Sequence, residues 1–227
     1  MTRRVAFFDV DETLLAEKSM VSFWRHWSAQ LAREGRTPGD LRTAGADRAT
    51  LNRAYFTHFA GVHRAVLEES ARRWYAGYRR GRRAYLPATL RRLHGHRAYG
   101  DEIALVTGSG RLLVQPLADD LGAHHVLATE QVTDAGGRFT GDVARSLIGD
   151  GKREAVNALL RRLGVRAEDC YAYGDHSTDL PMLTAVGHPV VVGDDPVLTG
   201  HGLPRGWRFL ANVPGPRGVS AEVMPVC

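Results

Sequence analysis

The chain has 227 residues, of which 44% are hydrophobic and 24% are charged, and its formal net charge is +5. These values are ordinary for a globular protein and leave room for one sizeable domain, or for a core with a smaller insert. The cysteines, Cys170 and Cys227, lie far apart, which argues against a disulfide framework or a cysteine zinc site and predicts a reducing, cytoplasmic location. No apolar stretch reaches the roughly 18–20 residues of a membrane span, so we expect no membrane association.

The first predicted element is a buried strand over residues 4–9, centred on the apolar run VAFF. Asp9 and Asp11 leave this strand together, and alternate residues of a strand point to the same side. Burying two like charges side by side is costly unless a cation or a reaction requires them. The pair is therefore a candidate for metal-dependent phosphoryl chemistry, and the alternative is a polar strand end with no chemical role.

The stretch from about residue 16 to residue 84 shows only helical periodicity. Apolar residues recur at helical spacing in three segments, which end near Gly35, Gly61 and Gly81. Aromatic residues concentrate here, namely Phe23, Trp24, Trp27, Tyr55, Phe56, Phe59, Trp74, Tyr75 and Tyr78. We expect most of them to pack the core of this helical segment and one or two to face a ligand.

Arginine is dense over residues 64–97, and such a basic segment can attract nucleic acid or an anionic partner. No nucleic-acid motif accompanies this charge. The favoured interpretation is a solvated helix face, because charge runs on a predicted helix usually face water. We therefore do not expect nucleic acid to be a partner.

From Pro87 onward, predicted helices and strands alternate. The predicted helices cover residues 88–96, 112–121, 152–163 and 180–185. The predicted strands cover residues 103–106, 125–128, 170–173 and 189–192, the last being the expected final strand of the core. Such alternation is typical of an α/β protein with a doubly wound parallel sheet.

Three further features interrupt this alternation. Pro116 is expected to break or kink the second of these helices. Residues 131–142 predict a hairpin, with residues 134–137 as its turn. Residues 213–227 contain proline and glycine and predict a loosely packed tail.

Polar residues cluster where predicted strands end, and open α/β sheets form their sites at such ends. These residues are Asp9, Asp11, Thr107, Gly108, Ser109, Asp175 and, four positions later, Asp179. Lys152 adds a cation at the start of a predicted helix. The inventory suits phosphoryl transfer, because carboxylates, phosphate and water supply the oxygen ligands that Mg²⁺ prefers.

The same residues suggest a different chemical role for each group. A metal-held carboxylate can attack phosphorus and form an aspartyl-phosphate, and a second carboxyl group can protonate the leaving alkoxide and then activate water. Thr107 and the following backbone N–H groups can bind phosphoryl oxygens, whose charge Lys152 can offset. Each element alone also has a structural explanation as a strand end, a common loop, a solvated lysine or a helix cap. Their joint occurrence, in order and at strand ends, favours chemistry.

Four segments of the chain, residues 8–14, 105–109, 149–152 and 173–183, resemble the four motifs of the haloacid dehalogenase-like (HAD) superfamily. The similarity continues through residues 138–141 and 205–207. Within the superfamily the chain resembles the phosphoserine phosphatase-like branch, subfamily IB. The resemblance implies a Rossmann-like catalytic core of residues 1–15 and 85–227. It also implies an inserted all-helical C1-type cap of residues 16–84.

The resemblance implies a role for each matched residue. Asp9 is the expected nucleophile and Asp11 the expected general acid and base. The implied metal ligands are Asp9, Asp11 through its backbone carbonyl, and Asp175. The implied phosphate-binding residues are Thr107, Gly108, Ser109 and Lys152. Asp179 would support the site from behind the ligands or through Lys152, and the cap would close over the substrate.

Three positions depart from the family pattern or fit it poorly. Glu12 stands where the family commonly has a small residue; it adds a carboxylate near the site entrance and is a candidate substrate contact. His176 stands where serine or glycine is more usual; it is a candidate substrate contact, although a solvent-facing histidine is favoured. Glu17 is a candidate substrate contact, because it lies near the position of the substrate-reading glutamate of phosphoserine phosphatases. Its spacing does not match that position, which weakens a prediction of phosphoserine as substrate.

The sequence thus predicts a Mg²⁺-dependent phosphomonoesterase that acts on a small phosphorylated metabolite through an aspartyl-phosphate at Asp9. A dehalogenase is disfavoured because that chemistry needs no metal cluster. One alternative is a phosphotransferase or mutase with the same intermediate. Another, of a different class, is a protein that binds an anion or nucleic acid through its basic cap. We expect a monomer or a homodimer, and the arginines favour a substrate with a second anionic group.

Overall fold

The computed structural model describes residues 3–41 and 45–213, so Cys227 and all of the predicted tail except Val213 lie outside the described residues. The strands are β1 (Val5–Phe8), β2 (Glu102–Gly110), β3 (His125–Thr133), β4 (Phe139–Arg145), β5 (Tyr171–Gly174), β6 (His188–Val192) and β7 (Arg208–Leu210). The helices are α1 (Ser19–Arg33), α2 (Arg48–Thr57), α3 (Arg64–Tyr78), α4 (Pro87–Tyr99), α5 (Arg111–Leu121), α6 (Asp150–Leu163), α7 (Leu180–Leu183) and α8 (Pro196–Gly202).

The strands form one seven-stranded sheet in the order β4-β3-β2-β1-β5-β6-β7. Every neighbouring pair is parallel except β3 and β4, which form the predicted antiparallel hairpin. In central strand β1, Phe7 is in register with Ala104 of β2 and with Ala172 of β5. All four residues of β1 are buried, as expected for a strand covered on both faces. The predicted α/β class with a doubly wound, mostly parallel sheet is therefore confirmed.

Helices cover both faces of the sheet, and successive residues of β1 face opposite layers. Ala6 and Phe8 belong to an apolar cluster with residues of α1 to α5, whereas Val5 and Phe7 belong to a cluster with residues of α6, α7 and α8. Because β2, β1 and β5 are parallel neighbours, their carboxyl ends meet at one edge of the sheet. The polar residues that follow them are thereby brought together.

Three helices, α1, α2 and α3, lie between β1 and α4, as the periodicity predicts. Their aromatic residues pack on one another, and the ring of Phe23 lies 6.1 Å from that of Phe59 and 6.0 Å from that of Trp74. The same apolar cluster includes Leu113 and Leu117 of α5, so the three helices pack onto the layer that covers the sheet. The division into core and cap at the predicted boundaries stays a prediction.

Part of the basic charge of this segment is balanced on the exposed face of α3. Arg72 lies 3.1 Å from Glu68 and 2.8 Å from Glu69, and Arg73 lies 2.8 Å from Glu69. Exposed pairs of this kind contribute little stability, but they lower the local net charge. The arrangement agrees with a solvated helix face rather than with a surface built for nucleic acid.

The structure corrects three details of the sequence prediction. Residues 107–109 continue β2 rather than forming a loop, because an irregular register lets Gly110 pair with Thr129 of β3. Pro116 lies inside α5, which runs without a break over its 11 residues. Strand β7 pairs with β6, which is therefore not the final strand, and its three residues are too few to show a period.

Proline and glycine residues mark the two ends of α4. Pro87 lies in the first turn of α4, where a missing N–H costs nothing, and Gly100 closes the helix with a φ of 84°. The longest described helices, α1 and α3, have 15 residues each. Within residues 3–41 and 45–213, no helix has the length and the apolar character that crossing a membrane requires.

Candidate active site

A cavity of about 400 Å³ lies at the carboxyl edge of the sheet, between the strand ends and the helical insert. Asp9 and Asp11, which follow β1, line it together with Gly108 of β2 and Lys152 of α6. Residues of α1 and α2 line much of the remaining wall, together with Lys18, Leu41, Ile148 and Thr178. The four predicted residues named here thus meet in one place, although they are up to 143 positions apart in the sequence.

The buried ammonium group of Lys152 joins two carboxylates. Its Nζ donates to Oδ1 of Asp9 at 2.5 Å and to Oδ1 of Asp179 at 2.6 Å. Burial by itself would lower the pKa of Lys152, but the charges of Asp179 and Asp9 raise it above its usual value. The lysine is therefore a permanent cation at the base of the cavity.

Asp9, Asp175 and Asp179 form a cluster in which one carboxylate oxygen of each lies within 4.8 Å of the others. Burial and the neighbouring carboxylates raise the pKa of Asp9, although Lys152 opposes this shift. Burial and the charge of Asp179 raise the pKa of Asp175 to about 6, although the hydroxyl of Thr13 donates to Asp175 Oδ1 at 2.7 Å. One lysine does not balance three carboxylates, so the cluster fits an added cation. Its all-oxygen donor set suits a hard divalent ion such as Mg²⁺.

The carboxylate of Asp11 is held by two serines. Its Oδ1 accepts the backbone N–H of Ser19 at 2.7 Å, and its Oδ2 accepts the hydroxyl of Ser109 at 3.1 Å. The two serine hydroxyls are 2.7 Å apart, which links the start of α1 to the end of β2. Burial raises the pKa of Asp11, and the hydrogen bonds oppose this shift. A carboxyl group with a raised pKa is suited to carrying a proton.

The end of β2 leaves little room for a side chain at Gly108. A Cβ atom at this position would collide with Cδ1 of Ile148, so a larger residue would require the Ile148 side chain to move. The hydroxyl of Thr107 accepts the N–H of Ser109 at 3.0 Å, which fixes the backbone around Gly108. An uncovered, fixed backbone of this kind allows close approach by a ligand.

Asn52 of α2 contacts the same backbone from the helical insert. Its Nδ2 donates to the carbonyl oxygen of Gly108 at 2.8 Å, and its Oδ1 accepts the hydroxyl of Ser146 at 3.2 Å. The residue is 5% exposed. Sequence reasoning missed Asn52, because helical periodicity does not show which neighbouring element a buried polar side chain faces.

The turn after β5 is built around the carboxylate of Asp179. Its Oδ2 accepts the N–H groups of Asp175 and His176, both at 3.2 Å. A Cβ atom at Gly174 would lie 2.6 Å from Cβ of Asp179, so this close approach requires glycine. His176 is partly buried rather than solvent-facing, and its Nδ1 accepts the N–H of Thr178 at 3.1 Å. The histidine therefore closes the turn, and burial lowers its pKa.

Glu12 adopts a left-handed backbone conformation with a φ of 59°. This conformation strains a residue that has a Cβ atom, so the position favours glycine over glutamate. The carboxylate of Glu12 lies 3.6 Å from Nζ of Lys18 and 3.9 Å from the guanidinium of Arg48. Both of these basic residues line the cavity.

Glu17, a predicted substrate contact, is not among the residues that line the cavity. It instead forms a 3.0 Å ion pair with Arg25 on the exposed side of α1. The next residue, Lys18, lines the cavity in its place. The sequence did carry a signal for this residue, because Lys18 and Lys152 are the only two lysines in the chain.

Known proteins resemble this chain over most of its length. A family model described as haloacid dehalogenase-like hydrolase matches residues 6–184. A Mycobacterium tuberculosis protein named "Probable phosphatase" is 32% identical over 224 residues, covering 92% of this chain and 75% of that protein. A phosphoserine phosphatase of the same species is 30% identical over 214 residues, covering 90% of this chain and 69% of that protein.

Solved structures resemble the chain in fold. A Bordetella pertussis protein of unknown function has a TM-score of 0.75 and 27% identity, covering 94% of this chain and 100% of that one. A substrate-bound phosphoserine phosphatase has a TM-score of 0.62 and 18% identity, covering 88% of this chain and 90% of that one, a likeness of fold alone. The predictions of a HAD-like chain of the phosphoserine phosphatase-like branch and of an enzyme are thereby confirmed. The chain belongs to the haloacid dehalogenase-like hydrolase family.

Proposed function

We propose that the protein is a Mg²⁺-dependent phosphomonoesterase that hydrolyses a small phosphorylated metabolite through an aspartyl-phosphate at Asp9. The observation that carries the proposal is the contact of Asp9 with Lys152 inside a cluster of three carboxylates. A buried nucleophile with one fixed cation and a place for a second suits an incoming phosphate dianion. Family membership and the names of two relatives support the same class of reaction.

The reaction has two halves. A carboxylate oxygen of Asp9 attacks phosphorus, the bond from phosphorus to the substrate oxygen breaks, and Asp11 gives its proton to the leaving alkoxide. Asp11 then takes a proton from water, the water oxygen attacks phosphorus, and the bond to Asp9 breaks to release inorganic phosphate. The raised pKa of Asp11 suits both proton transfers.

Lys152 and the end of β2 hold the phosphoryl group. Nζ of Lys152, 2.5 Å from Asp9, stabilises negative charge on the phosphoryl oxygens as the nucleophile attacks. The Thr107 hydroxyl accepts from a backbone N–H, so its own proton remains available for a phosphoryl oxygen. The N–H group of Gly108 lies in the same segment and is the further donor proposed for this set, because the N–H of Ser109 is already bonded to the Thr107 hydroxyl.

Mg²⁺ would be held by the carboxylates of Asp9 and Asp175 and by the backbone carbonyl of Asp11. When bound, the ion balances the carboxylate cluster and polarises the phosphoryl group. Asp179 supports this set from behind, because it orients Lys152 and also accepts two backbone N–H groups of the turn after β5.

In this proposal, residues 16–84 act as a cap over a core of residues 1–15 and 85–227. Two contacts support it, since Ser19 bonds to Asp11 and Asn52 bonds to Gly108 from the helical insert. Closure of the cap would therefore complete the site as well as exclude water from it.

The test is hydrolysis of p-nitrophenyl phosphate by the wild type and by Asp9→Asn, with Mg²⁺ present. We expect a loss of about a thousandfold or more in kcat, and loss of wild-type activity in EDTA with recovery when Mg²⁺ is restored. Asp150→Asn, an exposed carboxylate at the start of α6, is the matched control and should keep full activity. Wild-type turnover by Asp9→Asn would reject the proposal. Transfer to added alcohols at the expense of free phosphate would favour the phosphotransferase alternative.

A further inference from the structure

Lysine is rare in this chain, and its placement is selective. Of 30 lysine and arginine residues, only Lys18 and Lys152 are lysines, and both line the cavity. Lys152 lies at the base, bound to two buried carboxylates, whereas Lys18 lies at the start of α1 with a half-exposed side chain. The mouth of the cavity thus carries a compact cation that the reaction proposed above does not use.

Lys18 is one of two cations at this mouth. Glu12 lies 3.6 Å from Lys18 and 3.9 Å from Arg48, and neither distance is short enough for a hydrogen bond. One carboxylate shared by two cations leaves a net positive charge. Because neither contact with Glu12 uses a donor of Lys18 or Arg48, both side chains can bind an added anion.

The wall between the mouth and the base is apolar. It is lined by the partly buried side chains of Met20, Val21, Leu41, Leu51 and Ile148. Apolar side chains that remain partly exposed around a cavity gain free energy when an apolar ligand covers them. The wall therefore favours a carbon chain over a body rich in hydroxyl or amino groups.

Tyr55 contributes one polar atom, unpartnered within residues 3–41 and 45–213, to this otherwise apolar part of the wall. It also lines the cavity, and its hydroxyl is buried without a hydrogen-bond partner among the described residues. Native proteins rarely leave a buried hydroxyl without a partner.

We propose that the substrate is a phosphomonoester whose carbon body is apolar and whose far end carries a second anionic group, bound by Lys18 and Arg48. The inference rests on the proposed phosphomonoesterase function and assigns these two residues of the insert as specificity determinants. The only acidic residues that line the cavity, within the described part of the chain, are Asp9 and Asp11 of the catalytic site. A substrate with an ammonium group at its far end would meet two cations, Lys18 and Arg48, that share the single carboxylate of Glu12.

Three four-carbon esters that differ only at the far end test the proposal. They are butyl phosphate, 4-aminobutyl phosphate and the phosphate ester of 4-hydroxybutanoate. For the wild type at low ionic strength, kcat/KM should be about threefold higher for the carboxylate than for the methyl end, and about threefold lower for the ammonium end. Lengthening the uncharged alkyl chain should raise kcat/KM by about two- to fourfold per methylene until the cavity is filled.

The variant Lys18→Glu should reverse the order of the two charged esters, and Lys18→Gln should bring their kcat/KM values close together. Lys18 is exposed, so neither change should disturb folding. Arg33→Glu makes the same change of charge on an exposed residue at the far end of α1, and it should leave the wild-type order intact. Equal kcat/KM for the two charged esters, or an unchanged order in Lys18→Glu, would overturn the inference.

A binding measurement separates this inference from the proposed function. Calorimetric titration of Asp9→Asn with the three esters measures the binding affinity of each ester in the absence of turnover. If the wild type hydrolyses no ester but the affinities follow the order carboxylate, methyl, ammonium, the proposed function fails and the assignment of Lys18 stands. If the wild type hydrolyses the esters but the affinities are equal, the assignment fails and the function stands.

Discussion

The side-chain amide of Asn52 donates a 2.8 Å hydrogen bond to the carbonyl oxygen of Gly108, which joins α2 of the insert to the end of β2. Gly108 has no side chain with which neighbouring residues could hold it in place. The position of its backbone therefore depends on contacts such as this one. The same amide accepts a hydroxyl from Ser146, so both of its polar atoms have partners.

We expect Asn52→Asp to impair catalysis, because it keeps the acceptor for Ser146 but replaces the donor to Gly108 with an oxygen. Two oxygens then face each other in a buried site, so the free energy of unfolding should fall by about 1–3 kcal/mol. Since the change displaces the backbone of Gly108, to which we assign phosphate binding, kcat should fall by about tenfold on p-nitrophenyl phosphate. Steady-state kinetics and urea unfolding measure both effects. Asn157→Asp on α6 is the control, and an unchanged kcat in Asn52→Asp would contradict the positioning role.

Lys152→Met should damage both stability and activity. It leaves Asp9 and Asp179 buried without the cation that now lies 2.5 and 2.6 Å from them. Breaking a buried ion pair on one side costs about 3–5 kcal/mol, and denaturant unfolding should show a loss of this size. Added Mg²⁺ should recover part of the stability, because it supplies positive charge to the same cluster. Arg153, the next residue after Lys152, is exposed and provides the control. Arg153→Met should change the free energy of unfolding by less than about 0.5 kcal/mol.

The residues at strand ends could be predicted from sequence for a specific physical reason. Chain order places Asp9 and Asp175 after apolar strands, and parallel strands bring such positions to one edge. Lys152 could be predicted because it begins one of the helices in the alternating series of predicted strands and helices. These predictions needed no knowledge of which helix faces which neighbour.

The contribution of the insert could not be predicted in the same way. The helical period identifies α1 and α2 but does not show which side of each helix faces the cavity. Glu17 and Lys18 illustrate the difficulty, because they are adjacent just before α1 and only the second of them lines the cavity. Asn52 shows a second limit, since a buried polar residue reveals its role only once its partner is known.

Protons should compete with Mg²⁺ at Asp175. In the metal-free protein the pKa of Asp175 is raised to about 6, so the carboxyl group is largely protonated at pH 5 and largely ionised at pH 7.5. A metal ion must displace that proton, and the affinity for Mg²⁺ should therefore be at least about tenfold weaker at pH 5. Calorimetric titrations with Mg²⁺ at the two pH values check this. Asp175→Asn should bind Mg²⁺ weakly at both, and an equal affinity of the wild type at both would contradict the prediction.

The backbone conformation of Glu12 should destabilise the folded protein. Two substitutions separate this backbone strain from the effect of removing the carboxylate. Its φ of 59° strains any residue with a Cβ atom by about 1–2 kcal/mol, whereas glycine adopts the conformation freely. Glu12→Gly and Glu12→Ala both remove the carboxylate near Lys18 and Arg48, so they differ mainly in this strain. We expect Glu12→Gly to be more stable than Glu12→Ala by about 1 kcal/mol in urea unfolding. Equal stability would show that the surrounding contacts, rather than the backbone conformation, set the energy of this position.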